Sequence, residues 1–240
     1  MVTNEPNVKK YIKLLIGAEE FINNKKRYCL WLIDCPPEEL RKMPLVMERI
    51  NRVREDRLRS TDKGMQNLPP TRFRETNNPD TCLVIPVVSS EKRKYIPMGF
   101  IDKNTISTNG NLIMPNAEIF HFGVLESLIH MTWVSYVCGR LESRFRYSKD
   151  IVYNNFPWPE NPTDEQNKKV EDCAQKVLDV RLQFPNSSLA DLYDPNTMPP
   201  ELVKAHDDLD RAVDACYGKK FSNKEERIEF LFGLYKKYTK

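Results

Sequence analysis

Glycine is scarce in this sequence: eight residues of 240, against 17 prolines. No glycine stands two positions from another, so no G-x-G exists to open a dinucleotide fingerprint or a phosphate loop. The excess of proline points to many segment ends and argues against a flexible, glycine-rich chain. No apolar run approaches about 18 residues, so no membrane-spanning helix is predicted. The opening residues, MVTNEPNVKK, lack the apolar stretch of a secretory signal. The six cysteines form no C-x-x-C pair, and their spacing does not suit zinc. Free thiols in a reduced cytoplasm are the expected state.

Catalytic motifs are missing too. Neither G-x-S-x-G nor H-E-x-x-H occurs. A PD…(D/E)-x-K nuclease needs a Glu two residues before a Lys. Pro79-Asp80 followed by Glu91-Lys92-Arg93 puts Arg in that place, with Lys94 one residue too far. An amino-methyltransferase needs an Asn/Asp-Pro-Pro-aromatic loop to grip a flipped base. Asn78-Pro79-Asp80 lacks the second proline and the aromatic, and Asp34-Cys35-Pro36-Pro37 has the wrong order. No catalytic residue, metal ligand or cofactor site is assigned to this chain, and it is not expected to be an enzyme by itself.

What is present is an ordinary globular composition, 40% apolar and 30% charged, with an uneven charge distribution. The first 159 residues hold 24 basic against 18 acidic side chains, and the remainder 13 against 16. The basic part is the better partner for a polyanion.

Tyr28–Ile33 reads as a buried strand. A helix is predicted from Pro37 to about Ser60, since proline and two glutamates suit a first turn. On a helical wheel Leu40, Met43, Val46, Met47, Ile50 and Val53 share one face. Arg41, Arg49, Arg52 and Arg59 lie opposite. A solvated charged face is the plain reading of that row, and phosphate contact is the functional one. Cys82–Val88, Tyr95–Ile101 and Leu112–Met114 are expected as strands. Between the first two, Lys92, Arg93 and Lys94 form a basic turn, either solvated or touching a nucleic-acid backbone.

The stretch 118–139 is apolar on nearly every face and reads as one long buried helix. His121 and His130, in or beside it, read as capping or core histidines. Residues 140–153 then alternate: Arg140, Glu142, Arg144 and Arg146 against Leu141, Ser143, Phe145 and Tyr147. A period of two means an extended segment with the four charged side chains on one side. An ordinary strand-edge charge pair is the plain reading here as well. A proline-rich boundary with Trp158 follows. Beyond it 164–184, 201–217 and 223–238 read as three amphipathic helices. The expected fold is α+β: a mixed α/β domain over residues 1–158, with a small sheet around a buried helix, then a small all-α domain over 159–240.

Several motifs stand in one order along most of the chain: IGAEEF at 16–21, YIPMGF at 95–100, HFGVL at 121–125, GRLESRFRYS at 139–148, VYNNFPWP at 152–159 and LADLYDPNTMPP at 189–200. Lys204-Ala205-His206 and Leu209-Asp210 follow. Together they resemble the C-terminal region of MmeI-like type IIG/IIL restriction–modification enzymes. These are bacterial proteins joining an endonuclease, an adenine-N6 DNA methyltransferase and a target recognition domain. The resemblance implies a recognition domain followed by a helical C-terminal domain, and double-stranded DNA as partner. S-adenosylmethionine and the methyltransferase domain would belong to a parent or partner chain. It also implies that Glu142, Arg144 and Arg146 set base specificity. The chemistry agrees, because Arg donates two bonds to guanine O6 and N7 and Glu accepts from cytosine N4. Arg41, Arg49, Arg52, Arg59, Lys92, Arg93, Lys94 and Arg140 are the expected backbone contacts. The alternative is a docking module for a methyltransferase core with only non-specific DNA contacts.

Overall fold

The computed structural model describes residues 1–239. The N-terminal part begins with a 3-10 turn, Pro6–Tyr11, and strand β1, Ile12–Ile16. Helix α1, Ala18–Ile22, and strand β2, Tyr28–Leu30, follow. β2 pairs antiparallel with β1 at the sheet edge and leaves Tyr28 exposed, so the buried strand expected from Tyr28 onward is corrected. Only Trp31 and Leu32, just past the strand, are buried.

The expected single helix from Pro37 is two: α2, Pro37–Leu40, and α3, Pro44–Leu58. Pro44 forces the break. A residue before proline is pushed out of the helical region, and Met43 takes φ −120° and ψ 78°. Met43, Val46 and Ile50 are still buried as the wheel requires, with Val8, Tyr11 and Leu32. Val53 is exposed instead, because this small core ends one turn earlier. Helix α4, Lys63–Gln66, is capped by the Asp62 carboxylate.

One small sheet was expected around the buried helix, and the chain builds three three-stranded sheets. Strand β3, Thr81–Pro86, runs through the centre of the second sheet, and β4, Val88–Ser89, belongs to the third. β5, Gly99–Asp102, and β7, Asn111–Pro115, flank β3 antiparallel. β6, Thr105–Ser107, crosses to run parallel to β1 and joins the two halves. Tyr95–Met98 is buried but not in a strand, since Pro97 cannot donate to a ladder.

The apolar stretch 118–139 is also two helices, α5, Ile119–Leu125, and α6, Leu128–Val137, with Glu126 and Ser127 between them. Both pack into the main core. Strands β8, Gly139–Leu141, and β9, Arg144–Arg146, form a hairpin, and a π-helical turn, Lys149–Tyr153, follows. The helical part comprises α7, Asp164–Leu182; α8, Leu189–Leu192; α9, Pro200–Cys216; and α10, Lys224–Tyr238. Thr163 and Gln166 close a capping box at the start of α7.

The main core runs without interruption from Leu83 to Leu231. Gly123 on α5 shows how close that packing is. A Cβ there would stand 2.8 Å from Val170 and 3.1 Å from Ala174, both on α7. Residues 154–162 are therefore no free linker: Phe156 is buried, Trp158 packs edge-on to it and to His121, and Tyr217 bonds the Pro157 carbonyl. No helix among the described residues is long and apolar enough to cross a membrane.

Candidate nucleic-acid interface

The alternating segment folds back on itself. Gly139 pairs with Arg146, Arg140 with Phe145 and Leu141 with Arg144. Glu142 and Ser143 make the turn, and Glu142 adopts φ 58°, a left-handed conformation uncommon outside glycine. Directly paired residues share a face of a sheet and neighbours along a strand alternate. Gly139, Leu141, Arg144 and Arg146 therefore line one face, and Arg140 and Phe145 the other. This corrects the expectation that Arg140, Glu142, Arg144 and Arg146 share a side. The alternation was read as one continuous extended segment, and the turn reverses its parity.

The inward face is anchored. Phe145 and Tyr147 are buried, and the Tyr147 hydroxyl meets Nε2 of His130 at 3.0 Å. His130 holds the Leu125 carbonyl at 2.7 Å through Nδ1, so it is a core histidine, as its place in an apolar helix suggested. Its burial lowers its pKa to about 4. Arg140 lies with its guanidinium carbon 4.1 Å over the Phe145 ring. It donates to the carbonyls of Ser143, at 3.1 Å, and Ser135, at 3.4 Å. The guanidinium thus ties the turn to the end of α6.

The outward face is open. Arg144 and Arg146 are exposed, and Arg144 donates to the Glu142 carboxylate at 2.8 Å. Both side chains of that pair are solvated, so the bond is exchangeable at little cost. The third sheet, in order β4-β9-β8, brings the basic turn alongside: Val88 pairs with Arg146 and Ser89 with Phe145. Glu91 sits beside the hairpin. Its carboxyl is held below the usual range first by its own backbone N–H, then by Ser143, Lys92 and Arg140. Lys92 is exposed, and Lys94 is engaged with Asp207 at 3.1 Å. Arg93 is half-buried, and desolvation lowers its pKa despite nearby Asp194.

Arg41, Arg49, Arg52 and Arg59 are exposed, as the wheel placed them. They stand on the smaller N-terminal core and share no sheet with the hairpin. Arg52 is paired with Glu48 one turn away. Arg57, which the wheel did not single out, has a structural task. It donates to the carbonyls of Leu68, Pro69 and Arg72 and fixes the loop beneath the helix.

Comparison with known proteins bears on the whole chain. Residues 1–160 match the model of the MmeI target recognition domain, and residues 162–240 match that of the MmeI C-terminal domain. The chain belongs to the MmeI family. Among relatives of known role, it is 43% identical over a 242-residue alignment to DNA methyltransferase A of Bacillus subtilis strain 168. It superposes on the type IIL restriction–modification enzyme MmeI, solved in complex with DNA, with a TM-score of 0.94 at 48% identity. Each comparison covers 99% of this chain but only 27% and 32%, respectively, of the relative. The MmeI-like domains here thus span about a third or less of those proteins.

Around the junction of α5 and α6 lies a polar cluster that pattern reading missed. The Glu126 carboxylate, in the gap between α5 and α6, accepts from the Met98 N–H at 3.0 Å and from Arg181 of α7 at 2.6 Å. Burial raises this carboxyl to about 7, against the pull of Arg181. Arg181 also donates to the Met98 carbonyl at 2.5 Å and, through Nε, to the Tyr193 hydroxyl at 2.8 Å. Asp210 of α9 accepts from the Tyr95 hydroxyl at 2.7 Å and from the Leu128 N–H at 2.6 Å, capping α6 from across the molecule. His206 stacks on Tyr95, with ring centroids 4.0 Å apart. The sequence signal for Tyr95, Met98, Tyr193, His206 and Asp210 was their place in the motifs YIPMGF, LADLYDP, KAH and LD; Glu126 and Arg181 lie in none of them. Among the described residues no group of three or more His, Cys, Asp or Glu is arranged to hold a metal ion.

Proposed function

We propose that the chain is the sequence-reading module of a bacterial DNA adenine-N6 methyltransferase of the restriction–modification type. It binds double-stranded DNA through the β8–β9 hairpin. The observation that carries this reading is the hairpin's two-sidedness. One face is clamped to the core by Phe145 and Arg140, while the other holds Arg144 and Arg146 in solvent with Glu142 at the turn. A two-stranded ribbon fits the major groove, and these side chains match its donor and acceptor code. Arg144 reads guanine and Glu142 accepts from the paired cytosine, replacing the bond they make to each other in the free protein. Arg146 reads a neighbouring base pair.

Arg41, Arg49, Arg52, Arg59 and Lys92 supply phosphate contacts, aided by Arg93 and Lys94 once their present neighbours release them. Arg140 departs from that group. Its guanidinium is occupied by two carbonyls and a ring, so we assign it to holding the turn. S-adenosylmethionine and methyl transfer belong to another part of the longer protein, with which this chain docks in the cytoplasm. The residues present do not fit that cofactor, since among the described residues the glycines stand singly and build no backbone cradle.

The test is selection of bound sites from a randomised duplex pool at two salt concentrations. A short enriched motif is expected. Arg144→Ala should relax one position of it, at about 1–3 kcal/mol, and leave the rest intact. Arg49→Ala should weaken all sequences alike and lower the salt slope by about one, whereas Arg140→Ala should leave that slope unchanged. Salt-sensitive binding with no motif would refute base reading and favour a docking module with non-specific DNA contacts.

A further inference from the structure

The outward face of the hairpin carries two features that its arginines do not account for. The first is Gly139. A glycine gives a strand no side chain to pack, here at the first position of β8. The fold supplies no reason for it. Its φ lies outside the left-handed region, and a Cβ built on it would meet only the Arg146 carbonyl oxygen, at an ordinary 3.8 Å. The protein's own packing would accept alanine there. The second is Leu141. It is 42% exposed on a face it shares with Gly139, Arg144, Arg146 and the half-buried Val88, next to the Glu142 turn. Its register partner is Arg144, so the leucine and the arginine stand side by side on the same face. The inward side is closed to Leu141 by parity, and Arg140 covers Phe145 there.

We propose that Gly139 and Leu141 complete the reading face. Gly139 provides clearance for close approach of the DNA, and Leu141 is a specificity-determining contact for the 5-methyl group of a thymine beside the base pair read by Arg144. The assignment rests on the hairpin being the base-reading element. An apolar side chain at the rim of a guanidinium contact gains nothing from the polar base edges. The major groove offers one apolar group for it, the thymine methyl. Desolvating one methyl group against leucine favours thymine over uracil by about fourfold. The missing side chain at Gly139, two residues along the same face, lets the strand backbone approach the groove without a protruding Cβ.

The experiment uses the 240-residue chain and the motif selected from the randomised pool. Each thymine of that motif is replaced in turn by deoxyuridine, which removes only the methyl group. The wild-type chain should lose about fourfold in affinity at one position, and Leu141→Ala should lose nothing further there. Arg144→Ala should keep the uracil penalty while losing its guanine preference. Gly139→Ala should melt with the wild type yet bind every duplex at least about fivefold more weakly, because the new methyl meets DNA and makes only an ordinary contact with the Arg146 carbonyl in the protein. A motif without thymine, or a uracil penalty that is absent or persists in Leu141→Ala, overturns the leucine assignment. Unimpaired binding by Gly139→Ala overturns the clearance assignment. If Arg144→Ala leaves base preference unchanged, the underlying reading of the hairpin falls instead, and the two failures are told apart.

Discussion

Two carboxylate–guanidinium pairs in this molecule have the same chemistry and opposite surroundings. Glu142 and Arg144 meet at 2.8 Å at the hairpin turn, with 77% and 44% of their side chains exposed. Glu126 and Arg181 meet at 2.6 Å between α5, α6 and α7, with 0% and 8% exposed. The first pair is screened and adds little to stability, so its members are free to trade each other for base edges. The second pair is desolvated and bonded on several sides, so neither member can be lost without leaving the other stranded. A charge pair's burial, more than its distance, separates a pair free to exchange partners from a rivet.

The contrast breaks most sharply at Arg181. Arg181→Ala takes the cationic partner from the buried Glu126 carboxyl and the donor from the Met98 carbonyl and the Tyr193 hydroxyl. A loss of roughly 3–5 kcal/mol is expected from denaturant unfolding. Joint replacement by Arg181→Met and Glu126→Leu should recover only part of it, since no charge is left stranded but the Met98 N–H and carbonyl lose their partners.

A pH series gives the next largest effect. His130 has its folded-state pKa lowered to about 4 from 6.5. The unfolded chain therefore binds more protons between those values. Stability from this group is fully present above pH 6.5 and is lost as pH falls toward 4, by up to about 3 kcal/mol. Asp210 and Glu126 oppose it. Burial raises these carboxyls to about 6 and about 7, and their contributions are lost as pH rises from 3.8 to 6 and from 4.5 to 7. His206, lowered well below its usual value by burial, adds to the His130 trend. These trends offset one another in the wild type, so the readout is a difference: His130→Gln should lose less stability than the wild type as pH falls from 6.5 to 4. An identical loss in the two proteins would show that His130 does not contribute.

The smallest effect belongs to the exposed pair. Arg144→Ala should alter unfolding free energy by less than about 0.5 kcal/mol while changing which duplex is selected. A stability loss as large as that of Arg181→Ala would erase the distinction between the two pairs.

Some of this was legible in the sequence. The basic N-terminal portion, the faces of α3, the strand β3 and the three long C-terminal helices all follow from period and charge. The break at Pro44 was legible too, since the proline is in plain view, but six apolar residues at helical spacing outweighed it. The hairpin turn was not legible. It uses Glu142 and Ser143, with no Asn-Gly or Asp-Gly to announce a left-handed residue. The alternation on either side therefore read as one strand, and Arg140 was placed on the wrong face. The gap between α5 and α6 was hidden for another reason. Its stabilising partner, the Asp210 carboxylate, comes from 82 residues away. No local pattern encodes a contact of that range.

The uninterrupted core also decides what can be exchanged between proteins. Residues 162–240 contribute Val170, Ala174 and Leu209 to the packing against α5, and Arg181 and Asp210 to the bonds that hold α5 and α6 apart. A recognition segment cut at residue 160 and grafted onto a foreign helical partner would carry half a hydrophobic interior and two widowed polar sites. The transplantable unit is the whole 240-residue piece, or else nothing larger than the outward-facing side chains of the hairpin.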